Sequence, residues 1–260
     1  MSTAMAAAPF DAMELEAKVQ AMYRDVAEHP EGKYHFEMGR ALAERLGYPA
    51  AELDMVPAQA IESFAGVGYY FHLADVRPGE TVVDLGSGSG MDSFLAALKV
   101  GPAGKVIGID MTDAQRFKAE RLRAGGGFPN VTFLKGHIDA VPLPVQSADV
   151  VISNGVFNLA PDKAVVFAEV ARLLKQGGRM AIADIVTDTR LPESISCNTT
   201  LWAACIGGAA QRDDYRAMIE AVGLKVDRIE DNEAYRFISD SALGATQKYG
   251  VKSVSVLAQR

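Results

Sequence analysis

Only two cysteines, Cys197 and Cys205, occur in 260 residues, with no CxxC spacing. That excludes a disulfide framework and points to free thiols in a reducing compartment. Long apolar runs are also missing: the stretch 181–186 is far shorter than the roughly 20 residues a membrane helix needs. Residues 1–10 are alanine-rich and uncharged, without the basic segment and cleavage site of a secretory leader. The expectation is a soluble, cytoplasmic protein that does not engage a membrane. Basic residues are in deficit, 26 against 33 acidic, for a formal charge of -7. This argues against nucleic acid as the main partner. What is abundant is apolar side chain, 49% of the chain, ample for one domain with embellishments. Composition leaves the oligomeric state open.

Two grammars divide the chain. In the first 64 residues, apolar positions recur at helical spacing over 13–27, 36–46 and 58–64, separated by His29-Pro30-Glu31-Gly32 and Gly47-Tyr48-Pro49. These helices are expected to form a cap or lid on the main fold, with Tyr23, Tyr34 and His35 as aromatic anchors. From Pro78 onward, short apolar runs alternate with helical stretches. Strands are predicted at 81–85, 104–109, 131–134, 149–153, 178–186, 224–229 and 251–258; helices are predicted at 91–100, 112–124, 161–174 and 211–222. Such alternation specifies an α/β fold, a mainly parallel sheet covered by helices on both faces. An insertion around 190–210 interrupts the pattern. The reading is therefore a helical cap over 1–64 and a main domain over 65–260.

The strongest chemical signal is Gly86-Ser87-Gly88-Ser89-Gly90, directly after the first strand. Missing side chains there let backbone N–H groups approach a ligand closely. A dinucleotide fold would prefer GxGxxG, but the third position here is Met91 and the glycine comes one residue early. That weakens a nicotinamide or flavin reading, although an ordinary strand-to-helix turn would also use glycine. Asp110 closes the second strand, where a carboxylate can accept from both hydroxyls of an adenosine ribose or simply cap a helix. Gly136-His137-Ile138-Asp139 after the third strand can enclose an adenine, with His137 either a contact or a packed loop residue. Asn154 lies just past the fourth strand at the same edge of the sheet, either facing a ligand or terminating the strand.

Taken in order, these pieces resemble a class I S-adenosylmethionine-dependent methyltransferase, and more narrowly the arsenite methyltransferase family. The motifs that carry the resemblance are VVDLGSGSGMD at 82–92, VIGIDMT at 106–112, FLKGHID at 133–139, VVISNGVFNLAPDK at 150–163, LLKQGGRMAIADIV at 173–186 and LWAACIGGA at 201–209. The resemblance implies a Rossmann-like, predominantly parallel seven-stranded sheet with an antiparallel last strand. It implies that Asp84, Gly86, Ser87 and Gly88 cradle the methionine part of S-adenosylmethionine, that Asp110 binds its ribose, and that Met111, Gly136, His137 and Ile138 surround its adenine. Asn154 and Val156 would continue the wall beside the sulfonium.

For the acceptor, the resemblance implies thiolate ligands to trivalent arsenic. Cys205 matches one family position, while the segment GVGYYFHL lacks the cysteine that usually precedes the core. Cys197 offers a second sulfur, and glutathione or another small thiol would complete the coordination. Both cysteines also read as small buried hydrophobes. Tyr69, Tyr70, His72, Phe157 and Trp202, with Asn154, are the candidate acceptor-pocket residues. For an alcohol or amine acceptor, His72, His137 and Asp184 are the candidate bases. Alternatives are methyl transfer to sulfur, nitrogen, oxygen or carbon of a small organic metabolite, or a non-catalytic protein that binds the same cofactor.

Overall fold

The computed structural model describes residues 12–196 and 206–260. The central strands are β1 (Thr81–Leu85) and β4 (Ala148–Asn154). Val82, Val83, Val150, Val151 and Ile152 are wholly buried, as continuous β-branched runs must be when helices cover both faces. β2 (Lys105–Asp110) and β3 (Val131–Lys135) extend the sheet to one side; β5 (Leu174–Thr187), β7 (Lys225–Asp231) and β8 (Lys252–Gln259) extend it to the other. The order is β3-β2-β1-β4-β5-β8-β7, with the two-residue β6 (Ala210–Gln211) beside the end of β5. β1 to β5 run parallel, whereas β8 runs antiparallel to both β5 and β7. This is the expected mainly parallel seven-stranded sheet with a reversed last strand, plus the short β6.

One departure has a local cause. The expected turn at 175–178 lies inside β5 as a bulge: its pairing with β4 jumps from Ala148↔Leu174 to Val150↔Arg179. Gly177, at a φ of 75°, lets the excess residues leave the ladder without ending the strand.

The helices fall on two faces. α1 (Ala12–Glu28), α2 (Arg40–Leu46), α3 (Ala50–Leu53), α4 (Ala58–Glu62) and α5 (Phe71–Ala74) share one apolar cluster with α6 (Met91–Val100) and α7 (Asp113–Gly126). Leu15, Leu42, Leu53, Phe64 and Phe94 belong to it. The opposite face is covered by α8 (Lys163–Leu173) and α10 (Arg212–Ala221), through Phe167, Val170, Tyr215 and Ile219. α8 starts where the Asp162 side chain accepts from the N–H groups of Ala164 and Val165. α9 (Glu193–Ser196) and α11 (Asp240–Tyr249) complete the described α-helices, and α11 carries no equivalent in the sequence pattern. Helix α2 begins at Arg40 rather than 36, because Gly39 takes an extended left-handed conformation before it. Among the described residues, no helix is long and apolar enough to cross a membrane.

Candidate cofactor and acceptor site

The carboxyl ends of β1, β2, β3 and β4 open into one cavity of about 330 Å³, on the edge where parallel α/β sheets bind ligands. Its floor begins at Gly86. The N–H groups of Gly86 and Ser87 both donate to the Ile109 carbonyl, at 2.8 and 3.0 Å, which ties the turn to β2. Gly86 has a φ of 73°, and a Cβ there would lie 2.5 Å from Val156. Only glycine can make this turn with Val156 in place.

Asp110 is fixed at the end of β2 by two backbone donors, Gly88 N–H at 2.9 Å and Thr112 N–H at 2.8 Å, one to each carboxylate oxygen. Each oxygen keeps a further lone pair, so the pair can still accept from two vicinal hydroxyls. Burial pushes this carboxyl above the usual range, and the backbone hydrogen bonds pull back toward the ionised form. Asp84 is pushed up to about 8, first by burial and then by the charge of Asp92, against a 2.6 Å hydrogen bond from Ser93.

Asp92 opens α6 immediately after the glycine turn and is buried without an ion-pair partner among the described residues. Burial raises its carboxyl, opposed by donors from Tyr70, Tyr48 and Asn154. Tyr48 and Tyr70 donate at 2.8 and 2.7 Å, and the Asn154 Nδ2 donates at 3.1 Å. Three donors on one buried carboxylate substitute for a counter-ion.

All the residues expected around the cofactor lie on this cavity: Asp84, Gly86, Ser87 and Gly88 from the β1 turn, Asp110 and Met111 after β2, Gly136, His137 and Ile138 after β3, and Asn154 and Val156 after β4. The geometry fits S-adenosylmethionine: a glycine cradle that a Cβ would fill, and a carboxylate with paired free lone pairs. His137 stands half-exposed at the rim, 4.0 Å from Glu16 of α1.

The acceptor candidates are more dispersed. Asn154 lines the cavity, but Tyr70, His72 and Phe157 do not. Tyr70 is wholly buried with its hydroxyl on Asp92. His72 lies on the surface, 2.8 Å from Glu230. Phe157 sits in a short turn that sends its ring into the opposite core, 5.4 Å from Phe167. Asp184, one of the candidate bases, is buried beneath Tyr215 and away from the cavity wall. Cys197, Cys205 and Trp202 lie outside the described residues.

Several wall residues carry no motif signal. Leu15, Glu16, Val19 and Tyr23 of α1 close one side of the cavity. Their spacing of about one helical turn was the available clue, but it identifies a face and not what that face meets. Gln115 of α7 accepts from Ser89 of the glycine turn at 2.6 Å and donates to the Tyr23 carbonyl at 2.8 Å, joining the cofactor loop to α1.

A reversed last strand, a glycine turn after the first strand and an acid after the second define the class I S-adenosylmethionine-dependent methyltransferases. Residues 77–223 match the methyltransferase domain family. The chain belongs to that family, and within it to the arsenite methyltransferase-like members. The arsenite methyltransferase of Halobacterium salinarum is 42% identical over 199 residues, covering 76% of this chain and 51% of that protein. The crystal structure of an arsenic(III) S-adenosylmethionine methyltransferase from Chlamydomonas reinhardtii superposes with a TM-score of 0.67 at 32% identity, over 85% of this chain and 73% of that one. A geranyl diphosphate C-methyltransferase from Streptomyces coelicolor shares the fold, with a TM-score of 0.70 at 16% identity over 95% of this chain and 98% of that one. The chain spans about half the length of the curated relatives it matches.

Proposed function

We propose that this chain transfers the methyl group of S-adenosylmethionine to trivalent arsenic presented as a thiol complex. The observation that favours the reading is an apolar stretch of the cavity wall, Phe64, Ala65, Gly66, Leu159, Ala160 and Pro161, set apart from the carboxylates and His137 that line the rest of the cavity. An acceptor seated against that stretch is best served by a lone pair that is nucleophilic without deprotonation, since none of these six residues is a base. Trivalent arsenic does so, and the similarity to arsenite methyltransferases favours the same element.

When bound, S-adenosylmethionine supplies an electrophilic methyl carbon on a sulfonium, which an in-line lone pair takes to leave neutral S-adenosylhomocysteine. The glycine turn and Asp84 hold the methionine end, Asp110 the ribose, and Met111 with Ile138 the adenine face. Leu15, Val19 and Tyr23 exclude water from the side of α1. Cys205, with Cys197, holds arsenic through polarizable sulfur while leaving its lone pair free, and a small thiol completes the coordination. Alignment of this kind lowers barriers by up to about 7–11 kcal/mol in well-oriented intramolecular reactions.

A small organic thiol is the second reading, favoured by the presence of only two cysteines in the chain. A mass-resolved activity screen decides between them, with arsenite plus excess glutathione in one arm and a panel of small thiols, amines and alcohols in the other. Methylated arsenic and a sharp loss in Cys205→Ala are expected. Turnover confined to the organic panel, or full activity in Cys205→Ala, overturns the arsenic assignment. No cofactor consumption in either arm overturns methyl transfer.

A further inference from the structure

Residues 66–68 cross the end of the sheet as buried, irregular backbone, an arrangement that strands polar groups unless side chains reach them. Each is reached. The Asn154 Oδ1 accepts from Val67 N–H at 2.7 Å and Gly68 N–H at 3.3 Å, while its Nδ2 donates to the Gly68 carbonyl at 3.0 Å. From β8, the Ser253 hydroxyl donates to the Val67 carbonyl at 2.6 Å and the Ser255 hydroxyl to the Tyr69 carbonyl at 3.2 Å. There is no slack for side chains either. A Cβ on Gly66 would lie 2.3 Å from the Phe64 ring and 2.6 Å from the Asn154 Nδ2, and one on Gly68 would lie 2.1 Å from Asn232.

Asn154 is itself oriented from behind. Its Nδ2 also lies 3.0 Å from the Tyr48 hydroxyl oxygen and 3.1 Å from the Asp92 Oδ2, so its two protons are shared among these and the Gly68 carbonyl. Tyr48 has one proton, given to the Asp92 Oδ1 at 2.8 Å, so its oxygen is free to receive the amide. An inverted Asn154 would set its oxygen against the Asp92 carboxylate and its NH2 against two backbone N–H donors. Tyr48 and Asp92 therefore select the one orientation that pins the segment. Tyr48 follows α2, outside the matched residues 77–223, and the ring packs against Phe64, Tyr69 and Phe71 at 5.2, 4.9 and 6.2 Å.

We propose that Tyr48 and Asp92 are positioning residues for methyl transfer: acting through Asn154, they fix the Val67–Gly68 backbone and so the adjoining acceptor wall at Ala65 and Gly66. The assignment rests on the methyltransferase reading above. It makes the N-terminal helical segment a part of acceptor alignment as well as a cover.

The test uses full-length Tyr48→Phe, which keeps the ring and its packing, and Asp92→Asn, which keeps the shape but places an NH2 among donors. Hydrogen exchange is followed on peptides spanning 64–70, and affinity for S-adenosylhomocysteine is measured by calorimetry. Steady-state constants are taken with whichever acceptor the wild type methylates. Loss of one buried hydrogen bond predicts roughly tenfold faster exchange confined to 64–70 in Tyr48→Phe. Misplacement of the wall predicts a kcat loss of up to about 10²-fold in both variants, with the cofactor analogue still bound at near wild-type affinity in Tyr48→Phe; Asp92 lines the cavity beside Asp84, so Asp92→Asn also weakens binding of the analogue. Wild-type exchange and kcat in both variants overturn the proposal. So does exchange that rises throughout the chain together with loss of S-adenosylhomocysteine binding in both, which would make the network a fold support. If the wild type methylates nothing while 64–70 still loosens locally, the functional reading falls and the positioning of this wall stands.

Discussion

Gly86 and Asp84 sit two residues apart and constrain the site in different ways. Alanine at Gly86 must hold a left-handed conformation and displace Val156 from a 2.5 Å approach. Strain of that kind costs about 1–3 kcal/mol. Gly86→Ala is expected to lower the urea midpoint and weaken S-adenosylhomocysteine binding, both measurable on one preparation. Asp84 is a pH effect. Its carboxyl stands at about 8 in the folded chain against 3.8 for the free group, so the folded state holds a proton that the unfolded state releases. Stability drawn from this group is full below the unfolded value and declines as pH rises toward the folded one. Asp84→Asn should flatten the fall in urea stability between about pH 4 and pH 8; an unchanged slope would place the titration elsewhere. Asp110→Ala removes acceptors from the ribose hydroxyls and should weaken cofactor binding by about 10- to 100-fold, as hydrogen bonds to a charged group contribute about 1.5–3 kcal/mol.

Among the elements, the turn after β4 is the one whose placement depends on the far side of the sheet. Val156, Leu159, Ala160 and Pro161 line the cavity, yet the turn is held from behind. Asp184 on β5 accepts from Asn158 N–H at 3.3 Å, and Lys163 at the start of α8 donates to the Ala160 carbonyl at 3.1 Å. Burial pushes Asp184 up to about 6 and Lys163 down to about 8, each opposed by the charge of the other. Tyr215 of α10 donates to Asp184 at 2.7 Å and so stabilises the ionised form. Tyr215→Phe is expected to cost about 1.5–3 kcal/mol in denaturant unfolding, since a buried charged acceptor loses its donor. The sequence motif NLAPDK contains the turn and Lys163, but Asp184 and Tyr215 come from elements that only packing brings together.

At the scale of the whole molecule, α1 is fastened at one end and covers the cavity with the other. Its last two turns are held by Gln115 on the Tyr23 carbonyl, by Lys118 on the Ala27 carbonyl at 3.0 Å and by Ser63 on the Val26 carbonyl at 3.2 Å. A cation at a helix C-terminus is favoured by the backbone dipoles. Leu15 and Val19, nearer the other end, are buried against the cavity. We propose that this helix acts as a lid for the cofactor. S-adenosylhomocysteine should then protect residues 12–28 from limited proteolysis, and cleavage there at the same rate with and without it would count against a lid.

The features that the sequence determines by itself are those encoded within a few residues of one another. Buried strands read as apolar runs, the glycine turn follows its strand directly, and Asp110 ends the next strand. The order of elements then places Gly136 and Asn154 on the same edge, because parallel strands bring successive carboxyl ends together. Helix α11 escaped because Gly244 stands in its interior and reads as a breaker, and the bulge at 175–178 because a glycine pair reads equally as a turn. Tertiary structure alone decided which aromatic residues face the cavity. Tyr70 and Phe157 have the composition of a binding wall, yet Tyr70 turns to Asp92 and Phe157 to Phe167. Periodicity tells that such a side chain is buried, not against what. Contacts between Tyr48, Asp92 and Asn154 join segments far apart in the chain, and only the fold puts one hydroxyl, one carboxylate and one amide within hydrogen-bonding distance of each other.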